Sequence, residues 1–288
     1  MWQEIAAQIR EATQTDFDIK HHRTVGGGSI NPAYVVSDGS QAYFVKRNDA
    51  SELPMFEAEA RGLAQIANTN TIKVPKPLCW GIADGTAFLA MEWLDFGYGN
   101  HAAWEAMGRN LAAMHRVTSD RGFGWDIDNT IGSTPQPNPW SDDWLTFFRD
   151  HRLGHQFRLA RQRGGNFPQE NELMDALPRL LAGHDPQPSL LHGDLWSGNA
   201  AVTQLQEPVI FDPASYFGDR EADLAMTELF GSFPKEFYRA YNAAWALPNG
   251  YTLRKTLYNL YHILNHFNLF GSGYEGQANR MIMQLLKQ

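Results

Sequence analysis

A short apolar run, Leu190-Leu191, leads directly into His192-Gly193-Asp194; an asparagine follows at position 199, and a second apolar run, Val209-Ile210-Phe211, ends in Asp212. No other feature constrains the chain as much. The pattern asks for strand ends on one side of a cleft, delivering three oxygen-bearing side chains to one place. Phosphoryl transfer requires that layout: a carboxylate to orient and deprotonate a hydroxyl, and an amide and a carboxylate to hold Mg²⁺ against a triphosphate. Asp194 is the candidate catalytic base. Asn199 and Asp212 are the candidate metal pair, because Mg²⁺ takes oxygen ligands and commonly only a few from protein. His192 is expected to brace this loop rather than to carry a proton. Taken singly, each residue has an ordinary explanation: a solvated loop aspartate, a turn asparagine, a strand-end cap. Those explanations do not account for the shared spacing.

Upstream, Trp2, Ile5, Ala6 and Ile9 fall on one face of a helix over 2–13. Strands are expected over 19–25, 33–36 and 42–46, with Asp38-Gly39 as a tight turn between the last two. A helix over 54–67 opens on Pro54, and a second hairpin, 78–82 with 86–91, folds about Asp84-Gly85. Helix, strands, helix and strands in that order make an α+β unit. Beyond Glu92 the pattern turns to long helices, at about 101–117, 141–163, 171–182 and 221–230. The irregular stretch 122–140 between the first two carries three prolines, and a loop of that length reads as functional or as a lid.

The first unit holds the remaining parts of a nucleotide site. Gly26-Gly27-Gly28-Ser29 joins its first two strands, and glycines let backbone N–H groups come close to phosphates. The segment is neither G-x-G-x-x-G nor a Walker sequence, so a P-loop fold is excluded. Lys46 closes the apolar run Tyr43-Phe44-Val45, as does the strand lysine that holds the α- and β-phosphates in kinases. Its acidic partner would be Glu57 or Glu59, and Glu59 is favoured because it leads into the packed half of its helix. Glu92-Trp93-Leu94, at the crossing between the two regimes, is where backbone would meet adenine. Asp219 and Glu221 suit the start of the helix that follows, and Asp223 is expected to support the catalytic loop by hydrogen bonding.

Composition narrows the partners. A net charge of −8 gives no broad electrostatic footprint for nucleic acid. One cysteine, Cys79, excludes an internal disulfide framework and reads as a buried, inert thiol. The N-terminus has no signal-peptide pattern and no apolar run is long enough to cross a bilayer, so the expected location is cytoplasmic, with no membrane partner.

Together, Gly-Gly-Gly-Ser-Ile-Asn at 26–31, Phe44-Val45-Lys46, His-Gly-Asp-Leu-Trp-Ser-Gly-Asn at 192–199 and the run from Phe211 to Met226 resemble the fructosamine kinase (ketosamine kinase) family. The resemblance extends to Phe123-Gly124-Trp125, Pro135-Gln136-Pro137-Asn138-Pro139-Trp140 and Asp143-Trp144, and so spans nearly the whole chain. It implies a two-lobed, protein-kinase-like α+β fold of the aminoglycoside phosphotransferase type. The small lobe, an antiparallel sheet plus helix, would span 1–92, a hinge 93–97, and a larger, mainly helical lobe 98–288. It implies ATP-dependent, Mg²⁺-assisted phosphorylation of the 3-hydroxyl of a ketosamine sugar. Such substrates are ribulosamines or fructosamines on amines or protein lysines, and the product sheds the sugar, a deglycation or protein-repair activity. Residue by residue, Asp194 matches the base, Asn199 and Asp212 the metal ligands, Lys46 the phosphate lysine and Glu59 its partner. Trp196 would pack on the sugar or its amine, or equally be a core aromatic. Ser29 stands where some relatives carry a cysteine, which removes a redox link there. Pro213-Ala214 after the metal aspartate matches the small-molecule branch of the fold. A monomer or weak homodimer is expected. The alternatives are a kinase for another hydroxylated amine, of aminoglycoside, choline or homoserine type, and a nucleotide-binding scaffold without turnover.

Overall fold

A computed structural model describes residues 1–26 and 30–288. The N-terminal part is an antiparallel sheet between two helices. Helix α1 (Trp2–Thr13) buries Ile5, Ala6 and Ile9 and stops at Gln14, which turns left-handed at φ 57°. Strands β1 (His21–Val25), β2 (Ala33–Ser37), β3 (Ala42–Asp49), β4 (Pro77–Ala83) and β5 (Thr86–Glu92) pair in the order β1-β2-β3-β5-β4. Successive strand residues face opposite sides. Val45 therefore packs with Val36, Phe88, Ala90 and the buried face of α1, while its neighbours Phe44 and Lys46 turn to the other side. There they meet α2 (Leu53–Asn68), which begins with Pro54 in its first turn and buries Met55, Phe56, Leu63 and Ile66. Cys79 in β4 is half-buried, and desolvation pushes its thiol up to about 12, so it stays protonated near neutrality.

The C-terminal part is mainly helical. A short strand β6 (Phe96–Gly97) and helix α3 (His101–His115) lead into β7 (Asn129–Ile131) and β8 (Thr134–Gln136), a small hairpin. Next comes α4 (Trp144–Phe147), which runs through a π-helical stretch, Phe148–Leu153, into α5 (Gly154–Gln162). After α6 (Glu170–Leu180) lie β9 (Ser189–Leu191), β10 (Ala200–Thr203), β11 (Pro208–Ile210) and β12 (Tyr216–Gly218). The chain closes with α7 (Glu221–Thr227), α8 (Lys235–Ala244), α9 (Tyr251–Phe270) and α10 (Glu275–Leu286). No helix among the described residues is long and apolar enough to cross a membrane.

The four short strands set the site. β9 pairs with β12, and β10 with both β11 and β6. The chain therefore passes His192–Asp194 just beyond β9, Asn199 just before β10 and Asp212 just beyond β11.

Of the two expectations for residues 122–140, functional or a lid, the lid does not hold. Phe123, Trp125, Asn129, Ile131, Gln136 and Asn138 are all buried. Gly124 exchanges backbone hydrogen bonds with Phe217 of β12, at 3.0 and 2.8 Å. The stretch is thus an inner layer beneath the β9–β12 pair. Its signal is hard to read because its strands are short and its partners distant in sequence.

Helices α3 and α8 cross closely at Gly108, where an added Cβ would lie 2.3 Å from the Phe237 carbonyl oxygen and 2.9 Å from the Tyr241 nitrogen. Alanine would gain about 1 kcal/mol of helix propensity at this position. Both obstructing atoms are backbone, so overpacking wins, and Gly108→Ala should lose about 2 kcal/mol net in urea unfolding. A variant as stable as the parent would show that the two helices can separate at little cost.

Candidate active site

Beyond β9 the chain turns at Gly193, whose φ is +85° and whose Cβ position would lie 2.1 Å from the Ala214 carbonyl oxygen. Only glycine fits there. The turn is clamped by Asp223 of α7, whose carboxylate accepts from the backbone N–H of His192 at 2.7 Å and of Gly193 at 2.8 Å. His115 lies 3.1 Å from the same carboxylate. Asp223 is held below its ordinary pKa: burial alone would raise it, but the hydrogen bond and charge of His115 outweigh that. His192 is buried, accepts from the Asp194 N–H at its Nδ1 and donates from Nε2 to the Phe211 carbonyl. Desolvation lowers its pKa, so it is a neutral brace between the two strand ends.

The Asn199 amide nitrogen donates to the Asp194 backbone oxygen at 2.8 Å and to its Oδ2 at 3.2 Å. The Trp196 ring folds over Gly198, where a Cβ would come within 2.3 Å of it, so the glycine is required in this string. Asp212 follows β11 in a left-handed conformation, φ +58°, which aspartate tolerates better than most residues. Its Oδ1 accepts from Lys46 Nζ at 2.8 Å, and Glu59 accepts from the same ammonium at 2.7 Å. Glu57 pairs instead with the exposed Arg61.

Charge explains how these groups titrate. Burial, and next the charge of Asp212, push Asp194 up to about 7 against the pull of Asn199. Burial would lower Lys46, but the carboxylates of Asp212 and Glu59 more than reverse that and keep it protonated. Two carboxylates, Glu59 and Asp212, share one ammonium, and Asp194 feels the charge of Asp212 without a cation of its own, an excess of negative charge that a cation would relieve. Among the described residues, Asn199 Oδ1 and Asp212 Oδ2 carry no hydrogen bond. One amide and one carboxylate oxygen are the hard donors that Mg²⁺ takes, so the residues present fit that ion.

The structure places the other expected residues as follows. Glu92 ends β5 and accepts from the Lys76 N–H; Trp93 lies nearly parallel to Phe44, with ring centroids 6.3 Å apart; Leu94 is buried. At Gly26 a Cβ would meet nothing within 4 Å among the described residues, and Gly27, Gly28 and Ser29 lie outside them. Trp196 meets Phe230 edge-on, and Phe230 lies 4.4 Å, centroid to centroid, from His266 of α9. Tyr274 and the exposed Phe270 flank that histidine. This aromatic wall beside the catalytic loop is absent from the sequence reading, because aromatics at helical spacing look like core.

A buried aspartate loop, a clamped lysine, and amide and carboxylate oxygens without hydrogen bonds among the described residues, set where a β-sheet unit meets a helical one, are the parts of a kinase. The chain belongs to the fructosamine kinase family, whose sequence profile matches residues 1–288. A Synechocystis sp. protein assigned as a ketoamine kinase is 54% identical, over 99% of this chain and 97% of its own. The chloroplastic protein-ribulosamine 3-kinase of Arabidopsis thaliana is 44% identical, over 92% of this chain and 82% of its own. A crystal structure from Haemophilus somnus, assigned as a fructosamine-3-kinase, superposes with a TM-score of 0.93 at 33% identity, covering 99% of this chain and 98% of that one.

One turn before His266 on α9, His262 is buried, with its Nδ1 unpartnered. Burial, and then His266, lower its pKa to about 3. An unfolded chain protonates histidine near about 6.5, so this residue costs stability as pH falls from there toward its folded value. By pH 5 the loss from this one group is about 2 kcal/mol. Urea unfolding at pH 5 and pH 7 should show the parent losing about that much more than His262→Gln. Equal losses would mean that the folded histidine accepts the proton.

Proposed function

We propose that this protein transfers the terminal phosphoryl group of ATP to the sugar 3-hydroxyl of a ketosamine, a ribulosamine or fructosamine carried on an amine or a protein lysine. The observation that supports this best is the gathering of two bonded groups, Asn199 with Asp194 and Asp212 with Lys46 and Glu59, close enough that the charge of Asp212 raises the pKa of Asp194. In this reading Asp194 accepts the hydroxyl proton as the oxygen attacks. Its pKa, raised toward neutrality, matches that task, since a base works best near the operating pH. Lys46, oriented by Glu59, grips the α- and β-phosphates. The Gly26–Ser29 backbone covers the phosphates, and the backbone of Glu92, Trp93 and Leu94 receives adenine. Asn199 and Asp212 would hold Mg²⁺, which when bound offsets charge on the transferring phosphate. His192 and Asp223 keep the loop in place, and Trp196 with its aromatic wall packs on the sugar or its amine. The lobe division at 1–92, 93–97 and 98–288 belongs to the same reading, as do a cytoplasmic site of action and a monomer or weak homodimer. Phosphorylation turns the 3-oxygen of the adduct into a leaving group, so the sugar is shed and the amine recovered.

Mass spectrometry of a ribulosamine peptide incubated with the protein, ATP and Mg²⁺ tests this reading. A phosphate adduct followed by the free peptide is the expected result. Phosphate transfer to kanamycin, choline or homoserine, with none to ribulosamine or fructosamine peptides, would overturn the acceptor assignment. Asp194→Asn should lower turnover about 10³-fold, the middle of what a positioned base contributes. Stabilisation of the fold by ATP–Mg²⁺ should survive in that variant. Full activity there would remove Asp194 as the base.

A further inference from the structure

Arg152 is fully buried, and none of its hydrogen-bond partners is a carboxylate. Its guanidinium lies 4.0 Å from the centre of the Tyr216 ring and 4.5 Å from that of Phe147. One arm donates to the carbonyls of Pro137 at 2.7 Å and His151 at 3.1 Å, and the other to Asn138 Oδ1 at 2.6 Å. Nε has no partner. A buried charge without a counterion is costly, and apolar packing of similar volume is often the more stable solution. Fold stability alone therefore does not account for it.

Its hydrogen bonds have one direction. Arginine can only donate, so it fixes the oxygen of Asn138 toward itself and turns the amide nitrogen the other way. That nitrogen donates to Asn129 Oδ1 at 2.9 Å, and Asn129 Nδ2 donates in turn to the Ser215 carbonyl at 2.8 Å. Gln136 runs alongside: its Nε2 donates to Asn129 Oδ1 at 2.8 Å and to the Ala214 carbonyl at 3.1 Å, while its own oxygen accepts from Tyr261 at 2.5 Å. Arg152, Asn129, Gln136 and Asn138 are all at least nine-tenths buried. The line ends on the two carbonyls that follow Asp212-Pro213. The same short segment touches the catalytic loop, because the Ala214 N–H donates to the His192 carbonyl at 2.9 Å and the Ala214 oxygen fills the space beside Gly193.

We infer that Arg152, Asn138, Asn129 and Gln136 are positioning residues that hold Asp212 in its left-handed turn and set its distance from the catalytic loop. The inference rests on the reading of Asp212 as a metal ligand. A left-handed aspartate outside a tight turn costs free energy, which restraint by its surroundings offsets. This network supplies that restraint from behind, through the two carbonyls after the turn. The π-helical stretch Phe148–Leu153 fits the role: its wider turn brings Phe148, Arg152 and Leu153 inward together, and such turns recur at functional sites.

Mn²⁺ binding in the presence of ADP, measured by electron paramagnetic resonance without turnover, tests the inference on three variants of the full chain. Asn129→Leu keeps the volume and removes both polar ends; it should weaken Mn²⁺ binding at least about tenfold, as loss of groups that orient a metal ligand does. Tyr261→Phe removes only the hydroxyl at the far end. It should weaken binding about threefold, the order expected for one neutral hydrogen bond, with little change in melting temperature. Wild-type Mn²⁺ affinity in a folded Asn129→Leu protein would overturn the inference, even if its melting temperature fell. Should Asn129→Leu fail to fold, unchanged affinity in Tyr261→Phe would overturn it equally. Asp212→Asn separates the two levels: if its affinity is that of the parent, the metal-ligand reading itself fails. If Asp212→Asn loses binding while Asn129→Leu and Tyr261→Phe do not, only the positioning role fails.

Discussion

The Lys46 ammonium lies within hydrogen-bond distance of both Glu59 and Asp212, and through it the N-terminal sheet, helix α2 and the end of β11 meet at one atom. Removing Lys46 and Glu59 from water costs several kcal/mol per ion, and mutual attraction repays this only with good geometry, while Asp212 reaches the ammonium from the solvent side. The alternation of β3 supplies that geometry: Val45 is committed to the core under α1, so Lys46 must face the other way. Glu59 is committed by the apolar stripe of α2. Neither residue could be moved by one position without turning a whole element over. The cluster also leaves an excess of negative charge, which adds to burial in raising the pKa of Asp194 and suits the site to a divalent cation.

A second constraint is the tight apposition of two chain passes. His192-Gly193 and Pro213-Ala214-Ser215 run against each other with no side chain between them, since Gly193 has none and the Ala214 oxygen occupies its place. Asp223 grips one pass through two backbone N–H groups, and the amides of Asn129 and Gln136 grip the other through two carbonyls. Donors and acceptors are thus matched from both flanks. Asp194 and Asp212 sit at the outer ends of these passes, so their separation is set by main-chain hydrogen bonds rather than by flexible side chains.

The parts legible in the sequence were those with a periodic or local signal. The stripe Trp2, Ile5, Ala6 and Ile9 marked α1 to its end; the Asp84-Gly85 turn marked the β4–β5 hairpin; and the packed half of α2 distinguished Glu59 from Glu57. The roles of Asp223 as a clamp and His192 as a brace followed from the loop's need for fixed backbone. Burial in the stretch 122–140 was not legible because its buried residues include Asn129, Gln136 and Asn138, whose composition signals a solvated loop. Amides buried against distant carbonyls leave no periodicity. Arg152 was invisible for the same reason, and regular helical spacing gives no warning of a π-helical turn. The aromatic wall of Phe230, His266 and Tyr274 depends on how α9 passes the catalytic loop, which no local pattern encodes.

The pinned segment after Asp212 bears on regulation. In protein kinases this part of the chain is a movable segment whose order is set by phosphorylation, and activity follows its state. Here Ala214 is bonded at both its nitrogen and its oxygen, Ser215 is held by Asn129, and Tyr216–Gly218 pair with Leu191–Ser189 as β12 on β9. From Ala214 to Gly218 every residue is buried. Leaving this place would break the backbone pairing and the side-chain bonds of the segment together, and a covalent mark on it would have to enter a closed interior.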